Sequence, residues 1–225
     1  MLRCALFDLD NTLYPKSNGL MTEIGRRMNR YMSERLGIPA NKVREIRDSL
    51  LISHGTTLNG LRRSYDIDPD DFLAFVHDIP LEGFIGRDES LDRMLSALPL
   101  RKIIFTNADA RHARRVLSRL GVLRHFEAII DIHFIGFCNK PDPRAYRAAL
   151  EYACVSPDEC ILLEDYPVNI QTARAMGITT VLVGDRGEDG VTAAVADYTI
   201  DNVIEFTGLL ENIKKNGAAA KPAAP

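Results

Sequence analysis

Residues 4–15 read CALFDLDNTLYP, an apolar run that is followed at once by two carboxylates, Asp8 and Asp10. Such a short apolar run is typical of a strand that is buried on both faces of a parallel sheet. Carboxylates so close together raise each other's pKa. A turn rich in Asp, Asn and Thr is one interpretation of the stretch, and a metal-assisted site is the other. The rest of the chain decides between them.

Four further apolar runs resemble the first, and polar residues follow each of them. They are KIIF before Thr106, EAIID ending at Asp131, CILL before Glu164 and TTVLV before Gly184. Helical patterns lie between the runs: DARHARRVLSRLG, which closes on Gly121, DPRAYRAALEYA and NIQTARAMG. This alternation predicts an α/β fold with an open parallel sheet.

Between about Leu20 and Ile79 the sequence has only helical patterns. We predict one helix in MTEIGRRMNRYMSERLG, others near 41–53 and 58–65, and one that opens at DPDDFLAFVHD. A stripe at helical spacing is interpreted as core: Met21, Ile24, Met28, Met32 and Leu36. The segment is predicted to be a helical insert, residues 16–83, in a core formed by residues 1–15 and 84–215. The low-complexity tail, residues 216–225, is predicted to be disordered.

Composition excludes several classes of protein. Apolar residues make up 46% of the 225 residues, and the net charge of −3 argues against bulk electrostatic binding of nucleic acid or membrane. No apolar run approaches the ~20 residues that span a bilayer, and the first residues lack the apolar segment of a signal peptide. We therefore expect a cytoplasmic protein, whose four cysteines are reduced and whose histidines are structural, with His54 as the exception of interest.

Polar residues at the ends of the apolar runs are expected to meet, because ligands bind at the carboxyl ends of parallel strands. Besides Asp8 and Asp10, these residues are Thr106, Asn107, Glu164 and Asp165, and Lys140 is expected to join them from a loop in NKPDP, upstream of the fourth run. Oxygen ligands of high negative charge favour a hard cation such as Mg²⁺, which commonly binds one or two carboxylates together with a substrate phosphate. The set therefore predicts metal-assisted phosphate chemistry rather than a simple turn.

Each of these residues has a predicted part in that chemistry. Asp8 attacks phosphorus to form an aspartyl-phosphate. Asp10 gives a proton to the leaving alkoxide and later takes one from water, with a pKa raised by neighbouring negative charge. Thr106 and Asn107 donate hydrogen bonds to phosphoryl oxygens, and Lys140 neutralises negative charge.

These motifs resemble the haloacid dehalogenase superfamily, whose phosphatases carry a DxDxT signature, a later Thr or Ser, a distant Lys and an acidic pair. The resemblance implies a Rossmann-like core with an inserted α-helical cap of the C1 type, and a flap around Asn11 to Gly19. It also implies Mg²⁺ bound by Asp8, Asp165 and the backbone carbonyl of Asp10. The residues that match as supporting positions are Thr12, Glu164 and Asn169.

Within the superfamily the chain resembles the pyrimidine 5′-nucleotidase-like group in DLDNTLYP, HGTTLNGL, FVHD, NKPDPRAY and LLEDYPVNIQTARAMGITTVLVG. That resemblance implies a nucleoside 5′-monophosphate as substrate. This sequence departs from the pattern of the group at Glu164, where Asp is commoner, and at Tyr166, where Ser is commoner. A phosphatase of phosphoglycolate or a sugar phosphate is the alternative. A dehalogenase would lack Asp10, and a non-catalytic binding module would lack the nucleophile or a metal ligand.

The stretch SHGTTLNGLRR joins two predicted helices of the insert and is expected to reach over the leaving group. Its candidate substrate contacts are His54, Thr56, Thr57 and Asn59. The alternative is a plain helix start, in which a Thr caps backbone amides. Tyr14 and Lys16 are candidates for closing over the substrate, although Tyr14 has the alternative of packing beneath the cap.

Overall fold

Six parallel strands form one sheet in the computed structural model, which describes residues 1–184 and 195–219. The spatial order is β3-β2-β1-β4-β5-β6, and every neighbouring pair is parallel. The strands are β1 (Cys4–Phe7), β2 (Arg101–Phe105), β3 (Ala128–Ile130), β4 (Cys160–Glu164), β5 (Thr179–Val183) and β6 (Tyr198–Ile200). The predicted α/β class is confirmed.

Strand β1 lies at the centre of the sheet, and this position fixes where a site can form. It pairs with β2 on one side and β4 on the other, so that Cys4 faces both Arg101 and Cys160. Each residue of β1 is buried, as its unbroken apolar pattern predicts. The strand order reverses direction at β1, and the crevice outside its carboxyl end is where open α/β sheets bind ligands.

Seven of the helices in the described residues coincide with predicted helical patterns, and the two at Glu89–Ala97 and Phe206–Ala219 were not predicted. Four lie between β1 and the rest of the sheet: α1 (Leu20–Glu34), α2 (Ala40–His54), α3 (Thr57–Tyr65) and α4 (Pro69–His77). The others are α5 (Glu89–Ala97), α6 (Ala110–Leu120), α7 (Pro143–Ala153), α8 (Pro167–Ala175) and α9 (Phe206–Ala219). Helix α6 shows the local rules: the Asp109 side chain accepts from the His112 N–H at its start, and Gly121 ends it with a φ of 81°.

Alternate residues of β1 point into the two apolar layers that cover the sheet. Phe7 packs edge to face against Phe126 and Phe206 in one layer. Leu6 belongs to the other layer, which also holds buried side chains from each of α1 to α4. Helix α1 contributes to both layers, because its Leu20 and Ile24 pack with the first one.

Two features of the fold differ from the sequence prediction or lie beyond it. Strand β6 was not predicted, because it has three residues and only Ile200 among them is buried. The backbone of α9 is helical through Ala219, inside the tail that was predicted to be disordered, and residues 220–225 lie outside the described residues. Within the described ranges, every helix is too short or too polar to cross a membrane.

Candidate active site

Asp8 is the first residue beyond β1 and is held there by three hydrogen bonds. Its N–H donates to the Leu163 carbonyl at 2.9 Å, which continues the pairing of β1 with β4. Lys140 Nζ lies 2.7 Å from Asp8 Oδ1, and the Thr12 hydroxyl donates to Oδ2 at 3.1 Å. Burial and the nearby charge of Glu164 raise the pKa of Asp8 to about 7. The hydrogen bonds thus fix the orientation of the Asp8 carboxylate. The raised pKa shows that burial and the charge of Glu164 outweigh the stabilisation that Lys140 gives to its negative charge.

Lys140 is a buried cation with three acceptors. Its Nζ donates to Asp8, to the Phe105 carbonyl at 2.8 Å and to Glu164 Oε2 at 2.6 Å. Burial alone would lower its pKa, but the two carboxylates raise the pKa of Lys140 above its ordinary value. The ammonium therefore stays charged and compensates part of the negative charge at the strand ends.

Asn107 binds the backbone of Lys140 through its side chain. Its side-chain amide donates to the Lys140 carbonyl at 3.1 Å, and its Oδ1 accepts from the Lys140 N–H at 2.9 Å. The carboxamide therefore fixes the loop that carries Lys140, and Asn107 also lines the cavity above Asp8. Thr106 is 1% exposed, and its Oγ1 accepts from the Ala108 N–H. Its own hydroxyl hydrogen stays available, as a phosphate contact requires.

Carboxylate oxygens of Asp8, Glu164 and Asp165 lie within 4.8 Å of one another. Glu164 already uses Oε2 for Lys140 and Oε1 for the Tyr166 N–H. The Asn11 amide donates to Asp165 Oδ2 at 3.4 Å, and burial together with the Asp8 charge raises the pKa of Asp165 to about 6. In the described part of the chain, the buried Oδ1 atoms of Asn11 and Asn169 have no hydrogen-bond partner. This oxygen-rich donor set fits a hard, hydrated cation such as Mg²⁺.

The expectation that the pKa of Asp10 is raised was wrong. Burial does favour its protonated form, but the charge of His112 and hydrogen bonds from His112 and Tyr14 outweigh burial and hold the pKa of Asp10 below its ordinary value. The Tyr14 hydroxyl donates to Asp10 Oδ1 at 2.5 Å, and His112 Nε2 lies 2.9 Å from the same oxygen. Tyr14 is 4% exposed and belongs to an apolar core cluster.

Two histidines near Asp10, His77 and His112, were not predicted to belong to the site. His112 is buried on α6, and its ring stacks on that of His77 with the centroids 4.1 Å apart. His77 Nδ1 in turn lies 3.0 Å from Asp109 Oδ2. One signal was available: His112 stands four residues before Val116 on the apolar face of α6, directly after the residues that follow β2. A polar residue on a buried helical face near a strand end is a candidate for the site.

The predicted substrate contacts of the insert divide into two groups. Thr56 and Thr57 line the cavity above Asp8, whereas His54 and Asn59 do not. Thr56 also caps α3 by accepting from the Asn59 N–H, as the helix-start interpretation predicts. The Asn59 amide donates to the Phe137 carbonyl at 2.7 Å and to Asn139 Oδ1. Asn59 therefore ties the insert to the loop that precedes Lys140.

A cavity of about 390 Å³ lies between the strand ends and the helical insert. The carboxylates, Thr106 and Lys140 form its floor. Apolar side chains from α1, α2, α3 and α4 form most of its upper wall, namely Met21, Ile24, Met28, Leu51, Leu58, Phe72, Leu73 and Val76. Met21 and Met28 of the predicted core stripe are only partly buried, whereas Ile24 and Met32 are buried. Lys16 is exposed and does not line this cavity.

Two curated proteins are similar to this chain over most of its length. Phosphate metabolism protein 8 of Saccharomyces cerevisiae is 27% identical over 191 residues, which are 78% of this chain and 60% of the yeast protein. The phosphoglycolate phosphatase of Rhodospirillum rubrum is 28% identical over 198 residues, 81% of this chain and 80% of that protein. A mouse haloacid dehalogenase-like hydrolase domain-containing protein 3 is 34% identical over 99 residues, but the match spans only 38% of it.

A haloacid dehalogenase of Pseudomonas syringae is one of the solved structures with the same fold. It has a TM-score of 0.61 and 20% identity, and the match covers 95% of this chain and 100% of that one. A HAD phosphatase of Thermococcus onnurineus also has a TM-score of 0.61, with 21% identity, covering 93% of this chain and 98% of that one. At such identities the likeness concerns the fold alone. Residues 2–177 match the sequence family described as haloacid dehalogenase-like hydrolase. The chain belongs to the haloacid dehalogenase-like hydrolases.

Proposed function

We propose that the protein is a Mg²⁺-dependent phosphomonoester hydrolase that works through an aspartyl-phosphate on Asp8. The observation that carries this proposal is the arrangement of Asp8 and Asp10 at the end of β1. Asp8 is held by Lys140 and Thr12, while Asp10 is held separately by Tyr14 and His112. A nucleophile and an independently held acid–base group are what displacement of an alkoxide from phosphorus requires.

The donor set described above supports Mg²⁺ as the cofactor. Asp8, Asp165 and the backbone carbonyl of Asp10 would hold the ion, which when bound offsets the repulsion between a phosphate dianion and Asp8. The charge of Lys140, which contacts Asp8 Oδ1, serves the same end. We assign the contacts to phosphoryl oxygens to the Thr106 hydroxyl, to Lys140 and to the backbone N–H of Asn107.

The first step transfers the phosphoryl group to the protein. One carboxylate oxygen of Asp8 forms a bond to phosphorus while the bond from phosphorus to the leaving oxygen breaks. Asp10 gives its proton to that oxygen, so that an alcohol and not an alkoxide departs. An incoming phosphate dianion adds negative charge beside Asp10 and raises its pKa, which counteracts the lowering caused by His112.

The second step returns the protein to its starting state. Asp10, now a carboxylate, takes a proton from a water molecule as the water oxygen bonds to phosphorus. The bond between phosphorus and Asp8 breaks, and inorganic phosphate leaves. A dehalogenase would not need this second carboxylate, because a halide leaves without a proton. The presence of Asp10 therefore favours a phosphatase.

We infer that the substrate is a nucleoside 5′-monophosphate. The apolar upper wall of the cavity supports a leaving group with an apolar face, such as a nucleobase, better than one covered with hydroxyl groups, which would need polar partners. The five stretches that resemble the pyrimidine 5′-nucleotidase-like group support the same substrate. A phosphatase of phosphoglycolate or another small metabolite is the second candidate, favoured by the similarity to the Rhodospirillum rubrum enzyme over most of both chains.

Two further parts belong to this proposal. Residues 16–83 act as a cap over a core formed by residues 1–15 and 84–215, supported by the position of α1 to α4 above the cavity. The protein acts in the cytoplasm, supported by its four free cysteines.

Release of inorganic phosphate from a panel of esters tests the proposal. The panel contains pyrimidine and purine nucleoside monophosphates, phosphoglycolate, a hexose phosphate and p-nitrophenyl phosphate, each with Mg²⁺ and with excess chelator. We expect activity only with Mg²⁺ and the highest kcat/KM for a nucleotide. Full activity in chelator would exclude the metal, a preference for phosphoglycolate would favour the second candidate, and no phosphate release from any ester would overturn the proposal.

A further inference from the structure

Both hydrogen bonds that Asp10 accepts from side chains fall on one of its two carboxylate oxygens. Tyr14 and His112 both contact Oδ1, at 2.5 Å and 2.9 Å. Among the described residues, Oδ2 has no hydrogen-bond partner, and the Asp10 side chain is 16% exposed where it lines the cavity. The two contacts therefore distinguish the oxygens: one is anchored in the protein, and the other is left for the cavity.

Burial, ring stacking and a backbone hydrogen bond together fix the position of His112. The ring is buried, stacks on His77 at an interplanar angle of 18° and belongs to a residue whose N–H is capped by Asp109 Oδ1 at 2.6 Å. Its Nδ1 has no hydrogen-bond partner in the described part of the chain. Among the described residues, the His112 ring therefore makes its hydrogen bond through Nε2, to Asp10. Burying an imidazole costs free energy that an apolar side chain would avoid, so packing alone does not account for a histidine here.

We propose that His112 and Tyr14 are positioning residues that anchor Oδ1 of Asp10, so that Oδ2 is the oxygen presented to the leaving group. This inference rests on the phosphatase function proposed above. A freely rotating carboxyl group would have to find its productive orientation in each turnover, whereas an anchored one is already oriented. His112 and Tyr14 act through Asp10 and do not touch the substrate.

The test compares two esters of similar size on matched variants. p-Nitrophenyl phosphate releases a phenolate that needs no proton, whereas benzyl phosphate releases an alkoxide that does. His112→Gln keeps a side-chain N–H donor at a similar reach, and His112→Met has a similar length and no donor. Tyr14→Phe removes the second donor, and Asp10→Asn serves as the reference without the acid. The ratio of kcat/KM for the two esters is the readout, because it does not depend on the folded fraction of a variant.

We expect His112→Met and Tyr14→Phe to lower the ratio of kcat/KM for benzyl phosphate to that for p-nitrophenyl phosphate about tenfold or more. This change has the same direction as that of Asp10→Asn. We expect the ratio of His112→Gln to lie close to that of the wild type. An equal loss on both esters, or a His112→Gln variant that behaves like His112→Met, would overturn the positioning role and leave the phosphatase proposal intact. A wild-type protein that hydrolyses neither ester with Mg²⁺ would instead overturn the proposed function, and this inference with it.

Discussion

At the scale of single residues, the site is built from groups that repel one another. Asp8, Glu164 and Asp165 crowd three carboxylates around one ammonium, that of Lys140. Burial and mutual repulsion raise the pKa of Asp8 to about 7 and of Asp165 to about 6. Such an arrangement lowers stability in the absence of a cation and is retained where function requires it.

Replacing Asp165 by Asn is therefore expected to stabilise the metal-free protein. Loss of one buried like charge should raise the free energy of unfolding by about 1–3 kcal/mol at pH 8 in the presence of a chelator. The same change should abolish most of the additional stability that Mg²⁺ gives the wild type. Denaturant unfolding with and without Mg²⁺ measures both effects, and Glu45→Gln at an exposed position is the control. A destabilised Asp165→Asn protein that still responds to Mg²⁺ would contradict the assignment.

Residues with strand-end positions were predictable, and those that act through other residues were not. Asp8, Glu164 and Asp165 meet as the apolar runs indicated, because parallel strands place their carboxyl ends at one edge, and Lys140 reaches them from a loop. The contacts of His112 and Tyr14 with Asp10 join a helix face and a turn, and no spacing in the sequence reports such a pair. The contact of the Asn107 side chain with the Lys140 backbone was not predicted either.

At the scale of elements, the junction between α2 and α3 decides how the insert sits on the core. Gly55 has a φ of 76°, and a Cβ atom there would lie 2.6 Å from Asn139 Nδ2. Four residues later, the Asn59 amide donates to Phe137 and Asn139 of the loop before Lys140. The junction thus rests directly on the loop that carries Lys140.

Asn59→Ala is accordingly expected to weaken the junction without changing substrate preference. It leaves the buried acceptors on the loop unpaired, which should cost about 1–3 kcal/mol of stability. The values of kcat/KM should fall by a similar factor for two nucleoside monophosphates and for p-nitrophenyl phosphate. Asn41→Ala, an exposed position at the start of α2, is the control. A changed ranking of substrates at unchanged stability would show that Asn59 contacts the leaving group.

Helices were more predictable than short strands for a physical reason. The apolar stripe, the Asp cap and the terminal Gly of α6 are all local signals, and they agree on its bounds. Strand β6 is three residues long and takes its conformation from pairing with β5, which is a tertiary effect. The partly buried Met21 and Met28 show that a helical stripe does not separate core from cavity wall when both lie on one face.

At the scale of the whole molecule, stability and pH are coupled through Asp8. Its pKa rises from 3.8 to about 7 on folding, so the folded state binds more protons than the unfolded state between these values. The stability of the metal-free protein should therefore fall as pH rises through this range and level off above it.

The pH dependence is isolated by comparing the wild type with Asp8→Asn in chelator. Relative to the variant, the wild type should lose about 2–4 kcal/mol of unfolding free energy between pH 4 and pH 8. Excess Mg²⁺ should reduce this loss, because a bound cation favours the ionised carboxylate. A difference that stays constant with pH would show that Asp8 ionises as freely in the folded protein as in the unfolded chain.

The most direct test of the central claim is the turnover of Asp8→Asn with Mg²⁺ and the best ester of the panel. The substitution is nearly isosteric, so the far-ultraviolet circular dichroism should match that of the wild type, while an amide cannot form the aspartyl-phosphate. We predict that kcat falls by about three orders of magnitude or more. Turnover within about tenfold of the wild type, in protein shown by mass spectrometry to be free of deamidated or wild-type chains, would contradict the claim that Asp8 is the nucleophile.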